Sequence, residues 1–192
     1  MSEEIYPMNL DIIDDCIPEF YQDYFEALCL GKTKGCEIEN GLAWTPKYES
    51  TACRNGISPL SFKHILKSDA ELSSHFVNFS TIPVNVVNRL RYVLNQIIYA
   101  RLFLTTPYDT DLQNHDPHVD LNFPHTSLIY YVNDADGDTV FYDNDYKNII
   151  NSVTPKKGRC VIFDGLIPHG AGIPKLGPRC IVNFNLILGD NN

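Results

Sequence analysis

The run Thr126-Ser127-Leu128-Ile129-Tyr130-Tyr131-Val132-Asn133 decides how the chain is read. It is rich in β-branched and aromatic residues and runs into Asn133-Asp134-Ala135-Asp136-Gly137-Asp138, a cluster of turn formers. Side chains alternate along a strand, so Ile129, Tyr131 and Asn133 fall on one face and Leu128, Tyr130 and Val132 on the other. Working outward, residues 139–142, 160–163 and 180–188 have the same character. They are set apart by Pro155-Lys156-Lys157-Gly158 and Pro174-Lys175-Leu176-Gly177-Pro178. Four or more short strands without a helical pattern between them predict a mainly β body, two packed sheets of a jelly roll.

The first half reads differently. Residues 12–30 carry apolar positions compatible with one or two short helices, with Pro18 as a start or break. Residues 31–57 read as loops with a short hairpin at 38–48. Ser58-Pro59 is expected to open a helix bearing Leu60, Phe62, Ile65 and Leu66, and Pro83 another with Val87, Leu90, Leu94 and Ile97 on one side. These stripes are core positions that cover a sheet. The expectation is one domain over 1–192, with 1–98 a mixed helical and loop support and 99–192 the jelly-roll core.

A chain of 192 residues with 44 % hydrophobic composition suffices for a sizeable core. Fifteen Lys and Arg against 24 Asp and Glu give a net charge of -9, which argues against extensive nucleic-acid contact, because phosphate neutralisation needs clustered cations. Glu3, Glu4, Asp11, Asp14, Asp15 and Glu19 interrupt the first twenty residues, and no apolar run there or later has the length of a signal or a spanning helix. A soluble, cytoplasmic protein is expected. Six cysteines (Cys16, Cys29, Cys36, Cys53, Cys160, Cys180) without a close pair then read as free thiols.

Within Asn114-His115-Asp116-Pro117-His118-Val119-Asp120, an extended backbone points His118 and Asp120 to one side and Val119 to the other. One imidazole and one carboxylate then face a common ion. A third donor is available in Phe163-Asp164-Gly165-Leu166-Ile167-Pro168-His169-Gly170, where His169 stands at the rim of an apolar strand beside Gly and Pro. Two histidines and one carboxylate suit non-haem iron(II) and leave coordination positions open. His115 and His125 compete as ligands, His115 with the opposite strand parity and His125 in a turn, while His64 and His75 belong to the helical half. Arg179, opening the strand Arg179-Cys180-Ile181-Val182-Asn183-Phe184-Asn185, would pair bidentately with a carboxylate if it points inward. Either Tyr130 or Tyr131 could reach the same carboxylate, and Tyr108 lies on the approach to the metal motif. Asn183 and Asn185 share the parity of Arg179 and are candidates for substrate contact. Trp44, Arg54 and Asn55 are candidates for the entrance, Arg54 also for substrate contact.

The order of these features resembles the 2-oxoglutarate and iron(II)-dependent dioxygenase superfamily, in particular its prolyl 4-hydroxylase-like branch. The resemblance spans residues 99–188, with Ile129-Tyr130-Tyr131-Val132-Asn133, Gly137-Asp138-Thr139-Val140-Phe141 and Gly158-Arg159-Cys160-Val161-Ile162-Phe163 similar to its core strands. It implies a double-stranded β-helix, with iron(II) on His118, Asp120 and His169. It also implies 2-oxoglutarate as cosubstrate on Arg179 and Tyr131, with Tyr108 as a further donor. Collagen-type prolyl hydroxylases commonly carry Lys where this chain has Arg179. The implied reaction consumes O2, hydroxylates a C–H bond and releases succinate and CO2, with ascorbate admitted as reductant. A prolyl residue of a peptide or protein is the leading substrate, a free amino acid or small metabolite the alternative. A non-catalytic jelly-roll binding protein is the reading from a different class.

Overall fold

The computed structural model describes residues 10–31, 41–47 and 60–190. In chain order the elements are β1 (Leu10–Ile13), α1 (Glu19–Leu30), β2 (Thr45–Lys47), β3 (Ser61–Lys67), α2 (Phe76–Phe79), α3 (Thr81–Arg89), β4 (Tyr92–Thr105), β5 (Thr126–Tyr131), β6 (Thr139–Tyr142), β7 (Ile149–Val153), β8 (Cys160–Asp164), β9 (His169–Ala171) and β10 (Arg179–Asp190). All pairings are antiparallel. They build a larger sheet in the order β1-β8-β5-β10-β4-β3-β2 and a smaller one in the order β7-β6-β9. Two antiparallel sheets face to face, with helices outside the larger, make the predicted mainly β double-stranded β-helix.

Strand alternation divides the molecule into two cores. Even-numbered positions of β5, β8, β10 and β4, including Leu128, Tyr130, Cys160, Val182, Phe184 and Leu102, meet Phe25, Leu28, Phe79, Ile82 and Val86 from the helices. Odd-numbered positions, including Ile129, Tyr131, Val161, Phe163 and Ile181, meet Phe141 and Val153 of the smaller sheet. A buried polar group on the second face is therefore aimed between the sheets. Phe25 stacks on Phe79 with ring centroids 4.4 Å apart, tying α1 to α2.

Several expectations about the first half are corrected. Residues 61–67, read as part of a helix opened by Ser58-Pro59, form strand β3, hydrogen-bonded to β4 from Ser61 opposite Thr105 to Lys67 opposite Ala100. A short apolar run at ambiguous spacing is decided by its tertiary partner, here the long strand β4. The helix at Pro83 starts at Thr81 and stops at Arg89; Arg91, at φ 61°, turns the chain, so Leu94 and Ile97 belong to β4 and not to a helix. The sheet pattern accordingly begins at Tyr92 rather than Tyr99. Strand β2 pairs with β3; of the hairpin expected at 38–48, residues 38–40 and 48 lie outside the described residues. Pro18 does start a helix, as N-cap of α1. Trp44 is not at an entrance: its indole nitrogen donates to the Cys29 carbonyl at 3.2 Å, and its ring packs on the helix-side core.

The described cysteines Cys16, Cys29, Cys160 and Cys180 are free and buried; Cys36 and Cys53 lie outside the described residues, as do Arg54 and Asn55. Among the described residues no helix is long and apolar enough to cross a membrane.

Candidate metal centre

His118 and His169, far apart in sequence, are clamped by a two-bond antiparallel bridge: each backbone N–H donates to the other's carbonyl at 2.9 Å. Their rings lie 5.0 Å apart. Gly170 allows the close approach, since a Cβ there would sit 2.9 Å from the His115 carbonyl oxygen. Asp120 completes the group, and the three donor atoms lie within 4.8 Å of one another. His118 Nε2 is 3.9 Å from Asp120 Oδ1, and His169 Nε2 is 3.8 Å from Asp120 Oδ2.

Each ring is oriented through its other nitrogen. His118 Nδ1 donates to the Asp116 carbonyl at 3.3 Å, and His169 Nδ1 donates to the Ile167 carbonyl at 3.0 Å. With a carbonyl as acceptor the proton must sit on Nδ1, which leaves the Nε2 lone pair for an ion. Burial holds both imidazoles below their usual pKa, against an opposing pull from Asp120, so both are neutral ligands near pH 7. Burial pushes the Asp120 carboxyl up, but Arg101, His169 and the amides of Asn183 and Asn185 outweigh it and hold it well below the usual carboxylate range. Asn183 Nδ2 and Asn185 Nδ2 donate to Oδ2 at 2.8 and 3.0 Å, while Arg101 Nη2 pairs with Oδ1. Two neutral imidazoles and an ionised carboxylate, each fixed from behind, fit a divalent cation such as iron(II).

The triad opens on a cavity of about 280 Å³, whose wall includes Arg179, Thr139, His115, Ile129, Phe103 and Lys47. Arg179 is 2 % exposed, and its Nε and Nη2 donate to the Gly137 carbonyl and Thr139 Oγ1 at 2.6 and 2.8 Å. Among the described residues no carboxylate lies within 4.0 Å of it. A buried guanidinium without an ion-pair contact is costly, Asp138 acting on it only from farther away, and this one faces a cavity in which an acid would neutralise it. The chain's own residues therefore fit a carboxylate cosubstrate as well as a metal.

The predicted residues thus divide. His118, Asp120, His169, Arg179 and Asn183 stand on one cavity, and Asn185 touches it through Asp120. Tyr131 faces inward, as the family resemblance implied, but stands behind the wall: its hydroxyl donates to Thr139 Oγ1 at 2.6 Å, and the Arg179 guanidinium lies over its ring at 5.8 Å. Burial pushes its phenol up to about 12, keeping it protonated. Tyr130 faces the helices. Tyr108 is not on the cavity wall; its backbone N–H donates to the Pro174 carbonyl at 3.2 Å. His125 is a structural histidine, bonded to the Phe123 carbonyl and to Ser127 Oγ. His64, in β3 rather than a helix, bonds to the Ala43 carbonyl and Ser73 Oγ. His115 lines the cavity without joining the triad. Arg101, Lys47, Thr139 and Phe103 were missed, although alternation along β4 would have placed Arg101 and Phe103 inward with its partner strand known.

A scan against protein-family models finds no match, and no curated protein matches in sequence. Solved structures do match in shape. An oxidoreductase of the 2OG-Fe(II) oxygenase family from Burkholderia pseudomallei superposes with a TM-score of 0.67 at 12 % identity, over 95 % of this chain and 87 % of that one. A Pseudomonas putida prolyl-4-hydroxylase gives 0.57 at 14 % identity, over 93 % and 92 %. SnoN, a non-heme alpha-ketoglutarate dependent epimerase from nogalamycin biosynthesis, gives 0.62 at 13 % identity, over 94 % and 78 %. The likeness defines the fold, a double-stranded β-helix with the shape of these proteins. In it, His118, Asp120 and His169 are placed to hold one metal ion.

Proposed function

We propose that the protein is a 2-oxoglutarate-dependent iron(II) oxygenase that hydroxylates an unactivated C–H bond and releases succinate and CO2. The observation that carries this reading is the position of Arg179, a buried cation without a carboxylate partner among the described residues, on the same cavity as the His-Asp-His triad. Iron(II) would supply the activation of O2, and oxidation of 2-oxoglutarate the remaining electrons.

The chain's residues position and insulate. His118, Asp120 and His169 would hold the metal, and the cavity on which they open would take cosubstrate and O2. Arg179 takes the far carboxylate of 2-oxoglutarate. Thr139 and the Gly137 carbonyl fix the guanidinium plane, and Tyr131 fixes Thr139. Tyr131 is then a positioning residue rather than a direct ligand of the cosubstrate. Ile129, Ile181 and Phe103 give the cavity dry walls, which keeps water from competing for the reactive centre. Asn183 and Asn185 each donate to the ligand Asp120, and Asn183, on the cavity wall, is also a candidate for substrate contact.

For the substrate, a prolyl residue of a peptide or protein is the leading choice, supported by shape similarity to a prolyl-4-hydroxylase. A free amino acid or small metabolite is supported by the small cavity, which must also hold the cosubstrate. The buried free thiols suit a reducing, cytoplasmic setting.

The test is conversion of 2-oxoglutarate to succinate by the iron(II)-loaded protein, with prolyl peptides and free amino acids as substrates and products weighed by mass spectrometry. Iron-dependent succinate, lost in His118→Ala and Asp120→Ala, is expected, with a product heavier by one oxygen atom. A product of unchanged mass would point to epimerisation. Absence of both succinate formation and 2-oxoglutarate binding would leave a non-catalytic binding module.

A further inference from the structure

One side of the cavity carries more positive charge than the proposed reaction uses. Lys47, the last residue of β2, and Arg101, inside β4, flank the same aromatic ring: Lys47 Nζ is 5.3 Å and Arg101 Cζ 4.7 Å from the centroid of Phe103. The strand registers explain the meeting. Lys47 pairs with Ser61, which pairs with Thr105, which pairs with Arg179, so these four form one row across the sheet and Phe103 and Arg101 follow in the next rows. All six line the cavity. Among the described residues no carboxylate lies within 4.0 Å of Lys47, and Arg101 has only the metal ligand Asp120. Burial and the nearness of Arg101 and Lys63 lower the Lys47 pKa, as expected of a cation lacking a counter-ion.

Counting charge makes the excess explicit. A divalent ion, Asp120, Arg179 and a 2-oxoglutarate dianion cancel to neutrality. His118 and His169, each with its proton on Nδ1 and Nε2 given to the ion, add no charge. Among the described residues Lys47 and Arg101 are left over, both against the Phe103 ring, in a chain whose net charge is -9. Two like charges held over one ring repel unless an anion lies between them.

We infer that Lys47 and Arg101, flanking Phe103, form a subsite for an anionic group, a carboxylate or phosphate, on the primary substrate. This rests on the reading of Arg179 as the cosubstrate anchor, because only then does the second pair of cations remain for the substrate. Phe103 supplies an apolar floor for the carbon skeleton, and the bond to Asp120 sets the Arg101 guanidinium beside the metal, so an anion anchored there would bring neighbouring C–H bonds toward the centre.

The test is an NMR titration of the zinc(II)-loaded protein, which is diamagnetic and does not turn over, with sulfate and with acetate, each with and without 2-oxoglutarate. Saturable binding of at least one anion is expected while 2-oxoglutarate is bound, weakened tenfold or more in Lys47→Gln and retained within about threefold in Lys47→Arg. Tighter binding of sulfate supports a phosphorylated substrate, and tighter binding of acetate a carboxylic acid. If neither anion binds, or if Lys47→Gln binds both like the wild type, the subsite is refuted. If the wild type fails to bind 2-oxoglutarate, the oxygenase reading falls instead, and Lys47-dependent anion binding is then scored on the titration without cosubstrate.

Discussion

Replacing Arg179 by methionine separates a residue kept for the fold from one kept for a ligand. The substitution exchanges a buried guanidinium for an apolar chain of similar reach. In the unliganded protein the Gly137 carbonyl and Thr139 Oγ1 lose their donors, at about 1–3 kcal/mol for each buried group left unpaired. Against this, an unpaired buried cation is removed, a relief of several kcal/mol. The two nearly offset, so folding stability is expected to move by no more than about 2 kcal/mol. Binding of 2-oxoglutarate has no such compensation. Two hydrogen bonds to a charged group contribute about 1.5–3 kcal/mol each, so the dissociation constant should rise by roughly a hundredfold to ten-thousandfold. Arg179→Lys keeps the charge but loses the planar fork, and about a tenfold to hundredfold loss is expected. Calorimetric titration of 2-oxoglutarate into the manganese(II)-loaded protein under anaerobic conditions measures the first quantity, and urea denaturation the second. A folded Arg179→Met protein that binds 2-oxoglutarate within threefold of wild type would refute the reasoning. A stability loss above about 4 kcal/mol would show that Arg179 is structural instead.

Asn185→Ala removes one of the two amide donors to Asp120, and manganese(II) affinity is expected to fall about tenfold in a metal titration, with the fold intact. Gly170→Ala would press a Cβ against the His115 carbonyl, a backbone group, beside the bridge that joins His118 to His169; a destabilisation of about 1–3 kcal/mol by urea denaturation, with weakened metal binding, is expected. Burial, with Arg179 and Lys47 adding to it, lowers the His115 pKa from 6.5 to about 4. The unfolded chain therefore binds more protons than the folded one between these values, and this contribution to stability is intact above pH 6.5 and lost as the pH falls to about 4. Over that window wild type should lose up to about 1.4 kcal/mol per pH unit more than His115→Asn, and equal slopes would contradict it.

The fold was legible where one periodicity had no rival. In residues 126–133 alternation puts Tyr130 and Tyr131 on opposite faces, and they are found so, Tyr131 between the sheets, as the family resemblance implied, and Tyr130 against the helices. It was not legible where a proline signal competed with a strand. Ser58-Pro59 and Pro83 both suggested long helices, yet pairing with β4 took residues 61–67 into the sheet, and the left-handed turn at Arg91 ended α3 early. The triad could be assembled because its members carry distinctive chemistry. The bridge that brings His169 to His118 is a contact between distant residues that no local pattern encodes. Arg101 and Lys47 escaped notice for the same reason: a charge on a strand reads as solvent-facing until the register shows which cavity it lines.

An anaerobic crystal structure with manganese(II) and 2-oxoglutarate tests the central claim most directly. It should show one ion bonded to His118 Nε2, the Asp120 carboxylate and His169 Nε2, with one carboxylate of 2-oxoglutarate on the Arg179 guanidinium. An ion held by other residues, or a cosubstrate that leaves Arg179 unpaired, would contradict the account.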